Sequence, residues 1–158
     1  FSTKINYAVS LNAHFCQFRD FLVLCKKSLI EEVLRRFCKM VQDYKQLKIW
    51  KRSFELAVEV YKLTNKFPNH ERYNLTSQLR RAVTSISSNI AEGASKHTST
   101  DFVRFLNQAY ASLKEVESQL LLSKELKYLL VRDFEPLSKE IDELARMIYR
   151  FIEVVKKS

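Results

Sequence analysis

Residues 77–93 read SQLRRAVTSISSNIAEG, and the fold turns on how that segment is taken. Leu79, Ala82, Val83, Ile86 and Ile90 recur three and four residues apart, the spacing of one apolar helix face, and Leu75 extends the stripe upstream. The same segment holds two arginines, five serines or threonines, an asparagine and the chain's only glycine. Gln78, Arg81, Ser85, Asn89 and Glu92 form a continuous polar line beside the apolar one, at spacings of three, four, four and three. The pattern predicts a helix from about Glu71 to Glu92, ended by Gly93 as a left-handed C′ residue.

Working outward, "FPN" at 67–69 ends a preceding helix, because the residue before Pro68 is pushed out of the α region. That helix is predicted from Asp43, capped with Gln46, to Lys66, with Leu47, Trp50, Phe54, Ala57, Val58 and Tyr61 on its apolar face. Downstream, Thr98 and Asp101 make a T-x-x-D cap for a third helix reaching about Tyr128. Its residues Phe102, Leu106, Ala109, Leu113, Val116 and Leu120 alternate four and three apart, a spacing suited to left-handed bundle packing. A fourth helix starts near Asp133–Pro136 and carries Leu137, Ile141, Leu144, Ile148, Phe151 or Ile152, and Val155. Four amphipathic helices with short connections predict an all-α, up-down-up-down antiparallel four-helix bundle.

The polar line is unusual for a wet surface, because Ser, Thr and Asn are mediocre helix formers. A matching line on the third helix is Gln108, Ser112, Glu115 and Gln119. Antiparallel packing would set Arg81 opposite Glu115. A solvated face is the ordinary reading of polar residues on a helix, but short polar side chains suit a close, hydrogen-bonded helix or subunit contact better. Gln78, Arg81, Ser85, Asn89, Glu92, Gly93, Ser112 and Glu115 are therefore read as a packing and assembly signature, and Arg81→Ala is expected to weaken folding or assembly more than RNA binding.

Composition supports one helical domain: 158 residues, one glycine and two prolines leave little for hairpin turns. The net charge is +9, of which residues 1–39 contribute +4 (seven basic, three acidic) and residues 40–158 contribute +5 (twenty basic, fifteen acidic). An excess of +5 fits solubility as well as polyanion binding. Residues 1–39, rich in Phe and Cys, read as an extension distinct from the bundle domain of 40–158, with a capping box of Ser28 and Glu31 near its end. Met40 is expected to be the natural initiator, with the upstream residues either translated flanking sequence or an unusual extension. Native peptides from before Met40 would refute this. Cys16, Cys25 and Cys38 contain no C-x-x-C pair and match neither a zinc pattern nor a disulfide framework. "FLVLC" at 21–25 is too short to span a bilayer, and a cytoplasmic setting is expected.

No enzyme is indicated. His14, His70 and His97 are scattered, no glycine-rich loop offers a phosphate cradle, and Glu92 with Glu115 or Glu117 lacks the Glu-x-x-His companion of a di-iron site. No cofactor or metal is expected. Basic residues give the nucleic-acid alternative: Lys48, Lys51 and Arg52 share a face of the first helix, and Arg80, Arg81, Lys96 and Arg104 cluster around the second and third. The candidate contacts are Lys48, Lys51, Arg52, Arg80 and Arg104, whose phosphate binding would be salt-sensitive and poor in sequence information.

Residues from about Leu47 to Val155 resemble the four-helix bundle proteins encoded within intervening sequences of bacterial 23S ribosomal RNA genes. The resemblance rests on "LKIW" (47–50), "FP" followed by Glu71, "LTSQLRRA" (75–82), "SISSNIAEG" (85–93) and "FLNQAYASLKEVESQL" (105–120). Two positions depart: Ser87 stands where the family commonly has Pro, and Lys127 where a Gly often precedes Tyr-Leu. The resemblance implies a closed homopentamer without catalytic residues, and relatives that act as basic partners of a reverse transcriptase and its RNA. Five copies of a +5 bundle would gather about 25 charges on one ring. The expected function is that of a non-enzymatic, RNA-associated pentamer linked to ribosomal RNA or its intervening sequence, with a protein-binding adaptor for a nucleic-acid enzyme as the alternative.

Overall fold

The computed structural model describes residues 43–157. The Ser28–Glu31 capping box, the three cysteines, His14 and the division at residue 39 lie outside the described residues. Four helices follow in order: α1 (Lys48–Thr64), α2 (Leu75–Ala94), α3 (Ser99–Glu125) and α4 (Val131–Lys156). Single 3₁₀ turns at Tyr44–Gln46 and Asn69–Glu71 precede α1 and α2. Each helix packs on its sequence neighbours, and α1 also meets α4. The pairing is antiparallel throughout: Gly93 lies against Phe102 and Phe105 while Ser85 reaches Ser112, and Phe102 packs on Phe151 while Lys124 lies over Phe134. Arg52 near the start of α1 meets Glu140 and Glu143, and Thr64 at its end meets Arg80. This is the expected up-down-up-down bundle.

The core is built from the predicted stripes of three helices. Every apolar residue named above for α2 and α3 is buried, as are Leu137, Ile141, Leu144, Ile148, Ile152 and Val155 of α4. Ile152, not Phe151, takes the inward place, since Phe151 is only half-buried. Each of these large side chains contributes about 1.5–3 kcal/mol through its removal from water.

The expected face of α1 holds only at Leu47 and Ala57, which are buried; the rest of the inward face is rotated from it about the helix. Ile49, Ser53, Leu56, Ala57, Val60 and Thr64 point inward, whereas Phe54, Val58 and Tyr61 are exposed. Ser53 Oγ donates to the Trp50 carbonyl at 2.8 Å and Thr64 Oγ1 to that of Tyr61 at 3.1 Å. A hydroxyl satisfied by its own helix can enter the core without an unmet hydrogen bond, so the stripe with fewer aromatics is the buried one.

Helix ends also differ from expectation. Asp43 does not cap α1; it accepts a bond from Gln46 Nε2 at 3.3 Å beside the 3₁₀ turn, and α1 begins after Leu47. Helix α2 starts at Leu75 rather than Glu71, whose carboxylate instead receives the Leu75 N–H at 3.3 Å. Gly93 does not end α2 in a left-handed turn, for no glycine has positive φ and the helix runs on to Ala94. Its lack of a side chain serves a close approach to α3: a Cβ there would lie 2.7 Å from both Phe102 Cδ2 and Phe105 Cβ. The Thr98 cap is present, accepting the Asp101 N–H at 3.1 Å. Ser87 donates to the Thr84 carbonyl at 3.2 Å within an unbroken α2.

Helix α3 stops at Glu125, short of Tyr128, because Lys127 adopts φ 60°. The Lys127 N–H bonds to the Lys124 carbonyl at 3.0 Å and the Tyr128 N–H to that of Ser123 at 2.9 Å, the paired bonds of a Schellman cap. Left-handed backbone costs an L-residue with a Cβ roughly 1 kcal/mol, and glycine almost nothing. Lys127→Gly is therefore expected to stabilise the bundle by about 0.5–1 kcal/mol, read as a higher urea midpoint with an unchanged m-value. A lower midpoint would show that the lysine side chain contributes more than the cap strain removes.

Candidate functional site

Helices α2 and α3 share the most extensive interface of the bundle, and the polar line runs along it. Ser85 is its hub: Asn89 Nδ2 donates to Ser85 Oγ at 3.0 Å, and Ser112 Oγ donates to the same oxygen across the seam at 3.1 Å. Further along α3, Gln119 Nε2 donates to Glu115 Oε1 at 3.0 Å, while Gln119 Oε1 is buried without a partner among the described residues. Between the helices lies an open depression of about 470 Å³ lined by Gln78, Arg81, Ser85, Ser88 and Glu115 with their small neighbours. Arg81 and Glu115 share it, yet no ion pair joins them among the described residues. Among the described residues, Glu92 pairs with Lys96, one turn along, at 3.2 Å.

The basic candidates do not form one patch. Lys48 and Lys51 are exposed near the start of α1, while Arg80 sits beside the end of that helix. Sixteen residues of helix, about 24 Å, separate Lys48 from Thr64. Arg104 and Lys96 flank the Phe105 ring, with Arg104 Cζ at 5.3 Å and Lys96 Nζ at 4.8 Å from its centroid. Arg104 thus lies far from Arg80, so the grouping around the second and third helices divides between the two ends of the bundle.

Arg52 is a structural residue. Its Nε donates to Glu140 Oε1 at 2.7 Å and its Nη2 to Glu143 Oε2 at 2.6 Å, tying α1 to α4. The paired carboxylates raise the affinity of the guanidinium for its proton, and Arg52 in turn holds the Glu143 carboxyl below the usual range. Its charge is met by two carboxylates at the part-exposed seam of α1 and α4, unlike those of Lys48, Lys51, Arg80 and Arg104, which have no acidic partner among the described residues. Sequence spacing placed Arg52 on the Lys48 face but held no sign of the two glutamates opposite.

At the other end, His70 and Tyr128 approach at 3.3 Å, and the Tyr128 hydroxyl donates to Glu71 Oε1 at 3.3 Å. Desolvation, and then the Glu71 charge, push the Tyr128 hydroxyl to a higher pKa. The cluster joins the α1–α2 and α3–α4 connections. Among the described residues, no group of three or more His, Cys, Asp or Glu side chains could hold a metal ion, and no helix is long and apolar enough to cross a membrane.

A family model described as 23S rRNA-intervening sequence protein matches residues 45–150. The chain belongs to that family. No curated protein matches it. A solved structure from Bacteroides thetaiotaomicron, described as a protein with unknown function from the S23 ribosomal protein family, is 26% identical with a TM-score of 0.62. The similarity covers 66% of this chain and 97% of that one. For this intervening-sequence protein, the matched span contains every described site candidate, including both polar lines and Lys127.

Proposed function

We propose that this intervening-sequence protein is a non-enzymatic, cytoplasmic homopentamer that associates with RNA, ribosomal RNA or its intervening sequence being the target, through electrostatic contacts. The observation that carries the reading is the outward apolar face of α1. Phe54 is 51% and Tyr61 42% exposed, with Trp50 stacked on Phe54 at 5.4 Å. Aromatic surface of this kind beside a well-filled core is what a subunit contact would cover. Assembly then supplies what a single bundle of +5 lacks: five copies of residues 40–158 alone bring about 25 positive charges together.

Light scattering should give five times the 18.7 kDa chain mass, and Phe54→Asp should reduce it while the circular dichroism spectrum is kept. Arg81→Ala is expected to lower assembly or stability more than RNA affinity. Binding to a 23S intervening-sequence RNA and to an unrelated structured RNA, followed across a salt series, tests the partner. A cognate preference that persists near physiological salt supports the reading, whereas equal affinities that both vanish with salt leave only charge attraction.

The exposed Leu121, Leu122, Leu126, Leu130 and Val131 around the α3–α4 turn favour a second reading, a protein-binding adaptor for a nucleic-acid enzyme. A partner retained from nuclease-treated lysate, and lost on Leu122→Asp, would favour it.

A further inference from the structure

A pocket of about 190 Å³ opens between the end of α1 and the start of α2, lined by Thr64, Asn65, Asn69, Arg72, Thr76 and Arg80 with the Phe67–Pro68 turn. We propose that it is a phosphate site for a single strand of RNA, with Tyr73 as the platform for an adjoining base. The proposal deepens the RNA-associated reading and rests on it.

Arg80 carries the argument. Its Nε donates to Thr64 Oγ1 at 2.9 Å, its Nη2 donates to Asn65 Oδ1 at 2.8 Å, and its Cζ lies 4.9 Å from the centroid of Tyr61. All three partners are neutral. Arg52, by contrast, is met by two carboxylates. Arg80 has therefore already lost its side-chain freedom while its charge is uncompensated, and a guanidinium held this way still has donors to spare for an anion.

The surroundings favour the same ligand. Arg72 adds a second cation to the wall, and no acidic residue lines the pocket. Glu71, next to Arg72 in sequence, is engaged by the Leu75 N–H and the Tyr128 hydroxyl. Thr76, only 5% exposed, lines the pocket near the positive end of α2, and its hydroxyl has no partner among the described residues.

A free phosphate would use the pocket alone. Tyr73 points to a strand: it is 84% exposed, and Arg72 Cζ lies 5.9 Å from its ring centroid. An exposed aromatic next to a phosphate-binding arginine is the arrangement by which proteins hold unpaired nucleotides, backbone on the cation and base on the ring.

The test is fluorescence anisotropy of a labelled oligouridylate with the full chain, across a salt series. Arg72→Ala and Arg80→Gln should each weaken binding several-fold and lower the salt slope by about 0.7, the value for one lost phosphate contact on a single strand. Tyr73→Ala should weaken RNA binding by about 5-fold or more, while leaving unchanged the shifts that inorganic phosphate induces in the Asn69 and Thr76 amide resonances. Because Arg72 and Tyr73 are exposed, their variants keep the test valid if Arg80→Gln perturbs the turn. Wild-type affinity and slope in folded Arg72→Ala and Tyr73→Ala would overturn the site and leave the RNA reading standing. Phosphate binding at the pocket by a protein that binds no RNA would overturn the strand assignment and the RNA reading together.

Discussion

Leu56→Ala is expected to cost about 2–5 kcal/mol, whereas Phe54→Ala, two residues away and a larger truncation, should cost about 1 kcal/mol. Leu56 is 1% exposed in the bundle interior, so its removal loses both transfer free energy and packing against neighbours that cannot fully collapse. Phe54 faces outward and loses mainly its stack on Trp50. The two midpoints in urea, measured at low protein concentration, decide which face of α1 is the inner one. A larger loss for Phe54 would reverse the assignment. Repeating the pair at high concentration adds the assembly term, because a subunit contact stabilises the folded chain by mass action. Phe54→Ala should then become more costly, and Leu56→Ala should not change its rank.

Gly93→Ala should destabilise the bundle, by up to about 2 kcal/mol, although alanine is the better helix former by about 1 kcal/mol. The new methyl would stand 2.7 Å from Phe105 Cβ, an atom fixed to the α3 backbone, and equally close to the Phe102 ring. The ring edge can shift; the Cβ moves only with its helix. Because overpacking a close helix contact costs about 1–3 kcal/mol, it outweighs the propensity gain. Denaturation in urea checks the sign. A stabilised Gly93→Ala would mean that α2 and α3 can separate freely at this end, and the close-approach role would fall.

The stripes on α2, α3 and α4 were legible because each had one continuous apolar face with no rival. On α1 two faces competed, and the one with Trp50, Phe54 and Tyr61 looked more apolar because Ser53 and Thr64 interrupt the other. The back-bonding that hides those hydroxyls depends on local geometry and leaves no mark in residue spacing. Gly93 misled in a related way. A glycine after an amphipathic run signals a cap, and only the position of Phe102 and Phe105 on the next helix reveals a contact. Lys127 shows the converse, with the left-handed turn kept although the glycine is missing.

The candidate site was readable as a line of residues but not as a set of partners. The contact across the seam is Ser85 with Ser112, while Arg81 and Glu115, the pair that antiparallel packing suggested, share a depression without pairing. Arg52 could not be separated from Lys48 and Lys51, because its glutamates lie 88 and 91 positions away. The Arg72–Tyr73–Arg80 group was missed except for Arg80. Thr76 and Arg80 share a face of α2 at i and i+4, but Arg72 precedes the helix in the turn after Asn69–Glu71, so residue spacing could not place it beside them.

The Arg52 pairs have a kinetic meaning as well. Helices that pack on their sequence neighbours can assemble hairpin by hairpin, and α2 and α3, joined through residues 95–98 and sharing the longest interface, are the natural nucleus. The first and last helices meet only when the ring of four closes. The contacts of Arg52 with Glu140 and Glu143 are therefore expected to act as a latch that engages late, so that Arg52→Ala should speed opening of the bundle while leaving the speed of its formation nearly unchanged in stopped-flow unfolding and refolding.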